Sequence, residues 1–334
     1  MNGTTVAVLG AGSWGTTFAK VLADGGNDVR LWARRPALAE TVQRRRRNDD
    51  YLPGVLLPEG ITVGSDVAAA LAGAEIVFLS IPSQNLRGAL ASLGGLLEPD
   101  ALVVSLMKGV ENGTGLRMSE VIREGLAVPE ERIAVVSGPN LATEIAREQP
   151  TAAVVASSSL ETAQRVALVA ANRYFGTFVN TDVIGTEFAG VLKNLIAVAT
   201  GIVIGVGYGD NTKASILTRG LAEMTDFAVA FGGQPETLSG LAGLGDLIAT
   251  SESPLSRNNR AGRLLGQGYT KADVLGTMDQ VAEGLTSVDP ILALAAQRGV
   301  SMPIVTQVAE VIAGTLDPRD IAPHLTTEPV PLGE

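Results

Sequence analysis

The chain of 334 residues contains no cysteine and a single histidine, His324. Without thiols there can be no disulfide, no thiolate metal ligand and no cysteine nucleophile. The lone imidazole lies in a Pro-rich terminal stretch outside the patterned core, so a Ser-His-Asp triad, a polyhistidine metal site and a histidine base are all excluded, and no metal is expected. Any acid or base is Lys, Asp, Glu or Tyr. Positive charge is also in deficit: 25 Lys and Arg face 35 Asp and Glu, a net charge of −10. That balance argues against a nucleic-acid binder, which needs clustered cations. The local run Arg44-Arg45-Arg46-Arg47 reads as a solvated helix face. Long hydrophobic runs are missing too. The longest uncharged apolar stretch, residues 195–206, is shorter than the roughly 20 residues that span a bilayer, so it reads as a buried helix without stable membrane insertion. The first apolar run, residues 6–9, is too short for a signal-peptide core and leads into glycines, which makes a cytoplasmic location the expectation.

What the chain has in abundance is glycine, 39 residues, and apolar side chains, 46% of the total with only 4% aromatic. At about 100–200 residues per domain the length predicts two domains. Short, nearly continuous apolar runs at residues 6–9, 29–33, 76–81, 102–107, 133–136 and 152–156 alternate with helical stretches. Such runs fit strands buried on both faces, and the alternation predicts an α/β domain, a Rossmann-like doubly wound, mostly parallel sheet over residues 1–184. Residues 185–316 lose the strand pattern and read as an all-helical C-terminal domain. A loosely structured tail is expected over 317–334.

Gly10-Ala11-Gly12-Ser13-Trp14-Gly15 follows the first strand and opens a helix. Its glycines allow a tight turn, close approach of backbone to a pyrophosphate and close helix–strand packing, so the segment reads as a dinucleotide site. The second strand ends in Arg34-Arg35, where an NAD-selective fold carries an acidic residue for the ribose 2′-hydroxyl. A guanidinium pair suits a 2′-phosphate and favours NADP, with NAD still open; a merely solvated Arg pair is the competing reading.

Lys108 ends the fourth strand read from the sequence, where its ammonium faces the crevice, unless it is an ordinary surface lysine. Lys193 is less ordinary, because it interrupts a helix that is otherwise apolar for more than a turn on either side. Burying an ammonium is costly unless it is paired or functional; snorkelling to a domain edge is the alternative. Reduction of a ketone by hydride needs a proton donor at the forming alkoxide. With no usable histidine, Lys193 becomes the candidate general acid and base, with Lys108 and Asn194 orienting substrate oxygens. Farther on, Ser256-Arg257-Asn258, ahead of a helix expected at residues 261–265, offers a guanidinium fork and a helix N-terminus that suit a phosphate, or else forms a plain surface turn.

These segments, together with Tyr51-Leu52-Pro53-Gly54, Lys108-Gly109, Ser137-Gly138-Pro139-Asn140, residues 190–197 and 243–247, and Val281-Ala282-Glu283-Gly284, stand in one order over nearly the whole chain. In this the chain resembles the bacterial NAD(P)-dependent glycerol-3-phosphate dehydrogenases. The resemblance implies reversible reduction of dihydroxyacetone phosphate to sn-glycerol 3-phosphate, feeding glycerophospholipid synthesis; separately, the buried look of the helical domain fits self-association, and a homodimer is expected. It implies catalytic roles for Lys193, Lys108, Asn194 and Asp246. Substrate contacts would come from Lys108, Gly138, Asn140, Lys193, Asp246, Thr250, Ser256, Arg257 and Asn258. Cofactor contacts would come from Gly10, Gly12, Ser13, Trp14, Gly15, Arg34, Arg35, Tyr51, Lys108, Ala142, Arg257, Val281 and Glu283. Asn140 departs from the Ser or Thr more usual in the family, and Ala282 from a Val. The rival readings are a β-hydroxyacid or ketopantoate-type NADP reductase, which shares the layout, and a non-catalytic NADP-binding sensor. Ser256-Arg257-Asn258 separates the first rival, because it suits phosphate better than carboxylate.

Overall fold

A computed structural model describes residues 3–278 and 282–321, so Val281, His324 and most of the expected tail lie outside the described residues. The chain divides into two compact units, Met1–Glu187 and Phe188–Glu334.

The first unit is built on one eight-stranded sheet of order β3-β2-β1-β4-β5-β6-β7-β8. Its strands are β1 (Thr5–Leu9), β2 (Asp28–Trp32), β3 (Ile61–Gly64), β4 (Ile76–Leu79), β5 (Leu102–Ser105), β6 (Ile133–Ser137), β7 (Thr151–Ala156) and β8 (Phe175–Asn180). Side chains alternate across a strand, so β1 feeds two cores: Val6 and Val8 pack with Phe18, Phe78 and Phe175, while Ala7 and Leu9 pack with Leu79, Val103 and Ile122. The order reverses between β1 and β4, and such a switch point opens a crevice at the carboxyl ends of the strands. The turn Gly10-Ala11-Gly12 lies there, at the end of β1.

Three expectations change. β3 and β8 have no counterpart among the apolar runs, and as the two edge strands they carry mixed, partly exposed patterns. Lys108 therefore follows the fifth strand, not the fourth. The run at 152–156 joins the sheet antiparallel to β6; the segment between them holds only the five-residue helix Ala142–Ala146 and turns back at the carboxyl end of β6. Finally, the arginine run is not uniformly solvated. The helix Pro36–Arg45 stops at Arg46, in the left-handed region at φ 53°. The Arg46 guanidinium donates to Ile61 O at 2.6 Å and to Pro58 O.

The second unit is helical. The helix Val183–Val206 runs 24 residues, longer than the uncharged stretch within it, and an 18-residue window of it has a mean hydropathy of 1.9, which would suit a membrane span, yet 83% of that window is buried in the protein. It is a core helix. The helix Arg257–Gly266 packs against it backbone to backbone, because a Cβ on Gly201 would lie 2.3 Å from Asn259 O and one on Gly262 would lie 2.1 Å from Val198 O. This helix begins four residues before its expected start, at a cap formed by Ser256. Beyond it, Asp317 caps the short turn Pro318–Asp320.

Glu223, 5% exposed, closes the N-terminus of the helix Pro303–Ala313: its carboxylate accepts from Ile304 N at 3.0 Å and Val305 N at 3.1 Å. Burial pushes this carboxyl up to about 7 against the pull of those two amides. A raised carboxyl binds its proton more tightly in the fold than in the unfolded chain, so its contribution to stability is full below the ordinary pKa of 4.5 and is lost as pH rises through about 7. Urea unfolding at pH 5 and pH 8 should show wild type losing about 3 kcal/mol relative to Glu223→Gln over that interval. Parallel pH profiles for the two proteins would refute the assignment.

Candidate functional site

The dinucleotide turn is shaped by what its glycines omit. A Cβ on Gly10, at φ 119°, would stand 2.1 Å from Ser80 O, and one on Gly15 would stand 1.9 Å from Gly10 O. At Gly12 a Cβ would meet nothing within 4 Å, so the space above the turn is open. The helix Ser13–Asp24 starts there with no side-chain cap. An open cradle at an uncapped helix N-terminus fits a pyrophosphate. Ser13 Oγ donates to Tyr51 O at 2.6 Å, and Trp14 packs edge-on against Phe18.

Arg34 and Arg35 are exposed at the end of β2. The Arg35 guanidinium reaches Asp50 at 3.1 Å and Tyr51 OH at 3.4 Å, and lies 5.7 Å from the Tyr51 ring centroid. An ion pair this exposed is worth about 0–1 kcal/mol and gives way readily to a phosphate.

Beyond β5 and β6, Lys108 Nζ donates to Gly138 O at 3.1 Å, which joins two of the expected substrate residues. Asn140 is a departure of a different kind. Both its amide atoms are buried with no hydrogen-bond partner among the described residues, so a donor and an acceptor are held in readiness at this point of the first unit. Ala142 opens the helix Ala142–Ala146, and its carbonyl accepts from Thr17 Oγ1 at 3.3 Å.

In the second unit, Lys193 is 6% exposed. Its Nζ donates to Asp246 Oδ1 at 3.0 Å and Thr250 Oγ1 at 2.6 Å, and Thr250 Oγ1 donates to the same carboxylate oxygen at 3.1 Å. A lysine acid or base can be tuned by desolvation or by a second cation; the neighbour found here is a carboxylate, itself 2% exposed. Asp246 is placed by the π-helical turn Leu241–Gly245, a local widening often found at functional sites. Snorkelling is excluded for Lys193, because its partners are interior.

Asn194, next along the helix, is tied to the Ser256-Arg257-Asn258 segment. Its Oδ1 accepts from Asn258 Nδ2 at 2.8 Å, and Asn258 Oδ1 accepts from Gly284 N at 2.9 Å. Asn194 thus orients Asn258, and Asn258 ties the start of the helix Glu283–Arg298, where Glu283 sits, to the Lys193 turn. Ser256 Oγ accepts from Asn259 N at 3.2 Å and caps the helix that begins at Arg257, whose side chain is exposed. Val281 lies outside the described residues. Sequence reasoning missed Asn48, which is held against the glycine turn; the only signal was its place beside Tyr51-Leu52-Pro53-Gly54.

A glycine turn at the switch point of a doubly wound sheet, with a buried lysine–carboxylate pair in a helical unit, defines a nicotinamide-dinucleotide oxidoreductase. The chain belongs to the NAD-dependent glycerol-3-phosphate dehydrogenase family: the family's N-terminal profile matches residues 5–163 and its C-terminal profile residues 182–323. It is 69% identical over 327 residues to a glycerol-3-phosphate dehydrogenase [NAD(P)+] of Leifsonia xyli subsp. xyli, covering 98% of this chain and 89% of that one. A relative of the same name in Thermobifida fusca is 51% identical over 318 residues, 95% of each chain. The crystal structure of glycerol-3-phosphate dehydrogenase from Coxiella burnetii superposes with a TM-score of 0.92 at 36% identity, covering 98% of this chain and all of that one. These relatives do not favour the hydroxyacid, ketopantoate or sensor readings.

Proposed function

We propose that this protein reversibly reduces dihydroxyacetone phosphate to sn-glycerol 3-phosphate with NADPH or NADH. The observation that carries the chemistry is the buried Lys193 ammonium held between Asp246 and Thr250. When bound, the dinucleotide supplies the hydride for the carbonyl carbon. Gly10, Gly12 and Gly15 at the turn, with Ser13, Trp14, Tyr51, Ala142, Arg257, Val281 and Glu283, would hold it. Lys193 donates a proton to the carbonyl oxygen as the C–H bond forms, and takes the proton back from the hydroxyl in the oxidative direction. Asp246 and Thr250 fix the ammonium, and the carboxylate offsets the cost of burying it. Lys108, Gly138 and Asn140 contact the substrate oxygens. The phosphate is bound by Ser256, Arg257 and Asn258 at a helix N-terminus, where backbone amides and a guanidinium favour a dianion. The same reading expects a cytoplasmic homodimer that feeds glycerophospholipid synthesis, and light scattering tests the dimer.

The exposed Arg34 and Arg35 favour NADPH over NADH. Charge-assisted hydrogen bonds are worth about 1.5–3 kcal/mol each. Replacing both arginines with alanine should raise the KM for NADPH by about a hundredfold and leave the KM for NADH within about threefold. Equal losses for the two nucleotides would remove the 2′-phosphate from their role. The activity itself is tested by following nucleotide oxidation with dihydroxyacetone phosphate. No turnover with either dinucleotide would defeat the proposal.

A further inference from the structure

Between the helix Pro36–Arg45 and β3, residues 46–57 form a strap whose polar contacts converge on the dinucleotide turn. Arg46 anchors its far end, with Leu57 N donating to Arg46 O at 2.8 Å, while Leu52 and Val55 pack on Ala146. Near its start Asn48 is 1% exposed. Asn48 Nδ2 donates to Ala11 O at 2.9 Å and to Thr16 Oγ1 at 2.8 Å, which uses both amide hydrogens. Next to it, Ser13 Oγ donates to Tyr51 O at 2.6 Å. The strap is thus fastened to the turn on both sides of Gly12.

We propose that Asn48 is a positioning residue for the dinucleotide, acting through the Ala11–Gly12 peptide. In a planar trans peptide the carbonyl and the following N–H point in opposite directions. Holding the Ala11 carbonyl on the strap therefore turns the Gly12 N–H away from it. A free turn would sample both orientations of this peptide; the clamped turn has the binding orientation in place before the ligand arrives, so less affinity is spent on ordering it. A second observation separates this role from simple packing. Asn48 Oδ1 is buried and accepts from no described residue. A side chain needed only for volume would be better as leucine, which has no acceptor to leave unsatisfied. What Asn48 supplies is its two donors.

The role rests on the dinucleotide reading, and it concerns the part common to both nucleotides. Dissociation constants for NADPH and NADH, measured by fluorescence titration, should both rise about tenfold in Asn48→Leu, by the same factor. Turnover at saturating dinucleotide and the KM for dihydroxyacetone phosphate should stay within about twofold. Thr16→Val should weaken both nucleotides in the same sense, and Thr16→Ser, which keeps the hydroxyl, should restore them; this pair tests the clamp without altering Asn48. Unchanged affinity in Asn48→Leu and Thr16→Val overturns the proposal, as does a loss confined to NADPH or a fall in saturated turnover matching the fall in affinity. Wild-type protein that bound neither nucleotide would overturn the dinucleotide reading together with this proposal, whereas wild-type binding unaltered by the substitutions overturns the role of Asn48 alone.

Discussion

Lys193→Met lowers kcat for dihydroxyacetone phosphate reduction by about a thousandfold, in the range set by loss of a positioned general acid. Methionine is near lysine in length and packs in an apolar helix, so it removes the ammonium and little else. NADPH affinity should stay within about threefold, because the turn at Gly10, Gly12 and Gly15 belongs to the other unit. The substitution has a second effect that must be kept apart from the first. Asp246 is 2% exposed, and without the ammonium its carboxylate is a buried charge with a lost partner. Breaking such a pair costs about 3–5 kcal/mol. The double variant Lys193→Met with Asp246→Asn removes that charge, so its unfolding midpoint should recover while its turnover does not. Recovery of turnover along with stability would mean that Lys193 is structural.

Gly15→Ala raises the dissociation constants of both dinucleotides by at least about a hundredfold. The added methyl would lie 1.9 Å from Gly10 O and 3.0 Å from Ser80 Cβ, well inside contact distance. The backbone oxygen cannot turn aside as a flexible side chain would, so the helix Ser13–Asp24 must withdraw from the turn. Overpacking of this kind costs about 1–3 kcal/mol of stability as well. Gly12→Ala supplies the contrast. Its Cβ meets nothing within 4 Å and its φ of −78° suits alanine, so the unfolding midpoint should not change. The methyl nevertheless occupies the cradle, and affinity should fall. Isothermal titration with thermal unfolding separates the two variants; tight nucleotide binding by Gly15→Ala would contradict the turn's assignment.

Some of this was legible in the sequence for a definite physical reason. Strands buried on both faces must be apolar throughout, so the runs that became β1, β4, β5, β6 and β7 stand out, while β2 shows as an alternation in which Val29 and Leu31 are buried. β3 and β8 lie at the sheet's edges, where one-sided burial leaves a broken pattern, and neither is visible as a run. Glycines spaced around a strand–helix turn and a lysine inside an apolar helix are anomalies that a sequence displays openly. The partners of those residues are not. Asn194 meets Asn258 across 64 positions and Asn48 meets Ala11 across 37. Such pairings depend on how helices and straps pack, as with the glycine-to-glycine approach of the helices Val183–Val206 and Arg257–Gly266. The Arg46 strut is the same case: a residue in a run of four arginines gives no hint that one of them turns inward.

The central claim is that a phosphorylated ketone is reduced here with a lysine as proton donor. Its most direct measurement is oxidation of NADPH by the wild-type protein with dihydroxyacetone phosphate, unphosphorylated dihydroxyacetone and ketopantoate compared at equal concentration. The phosphate contacts proposed for Ser256, Arg257 and Asn258 predict kcat/KM at least about a thousandfold higher for the phosphorylated ketone. Comparable values for dihydroxyacetone, or a higher value for ketopantoate, would contradict it.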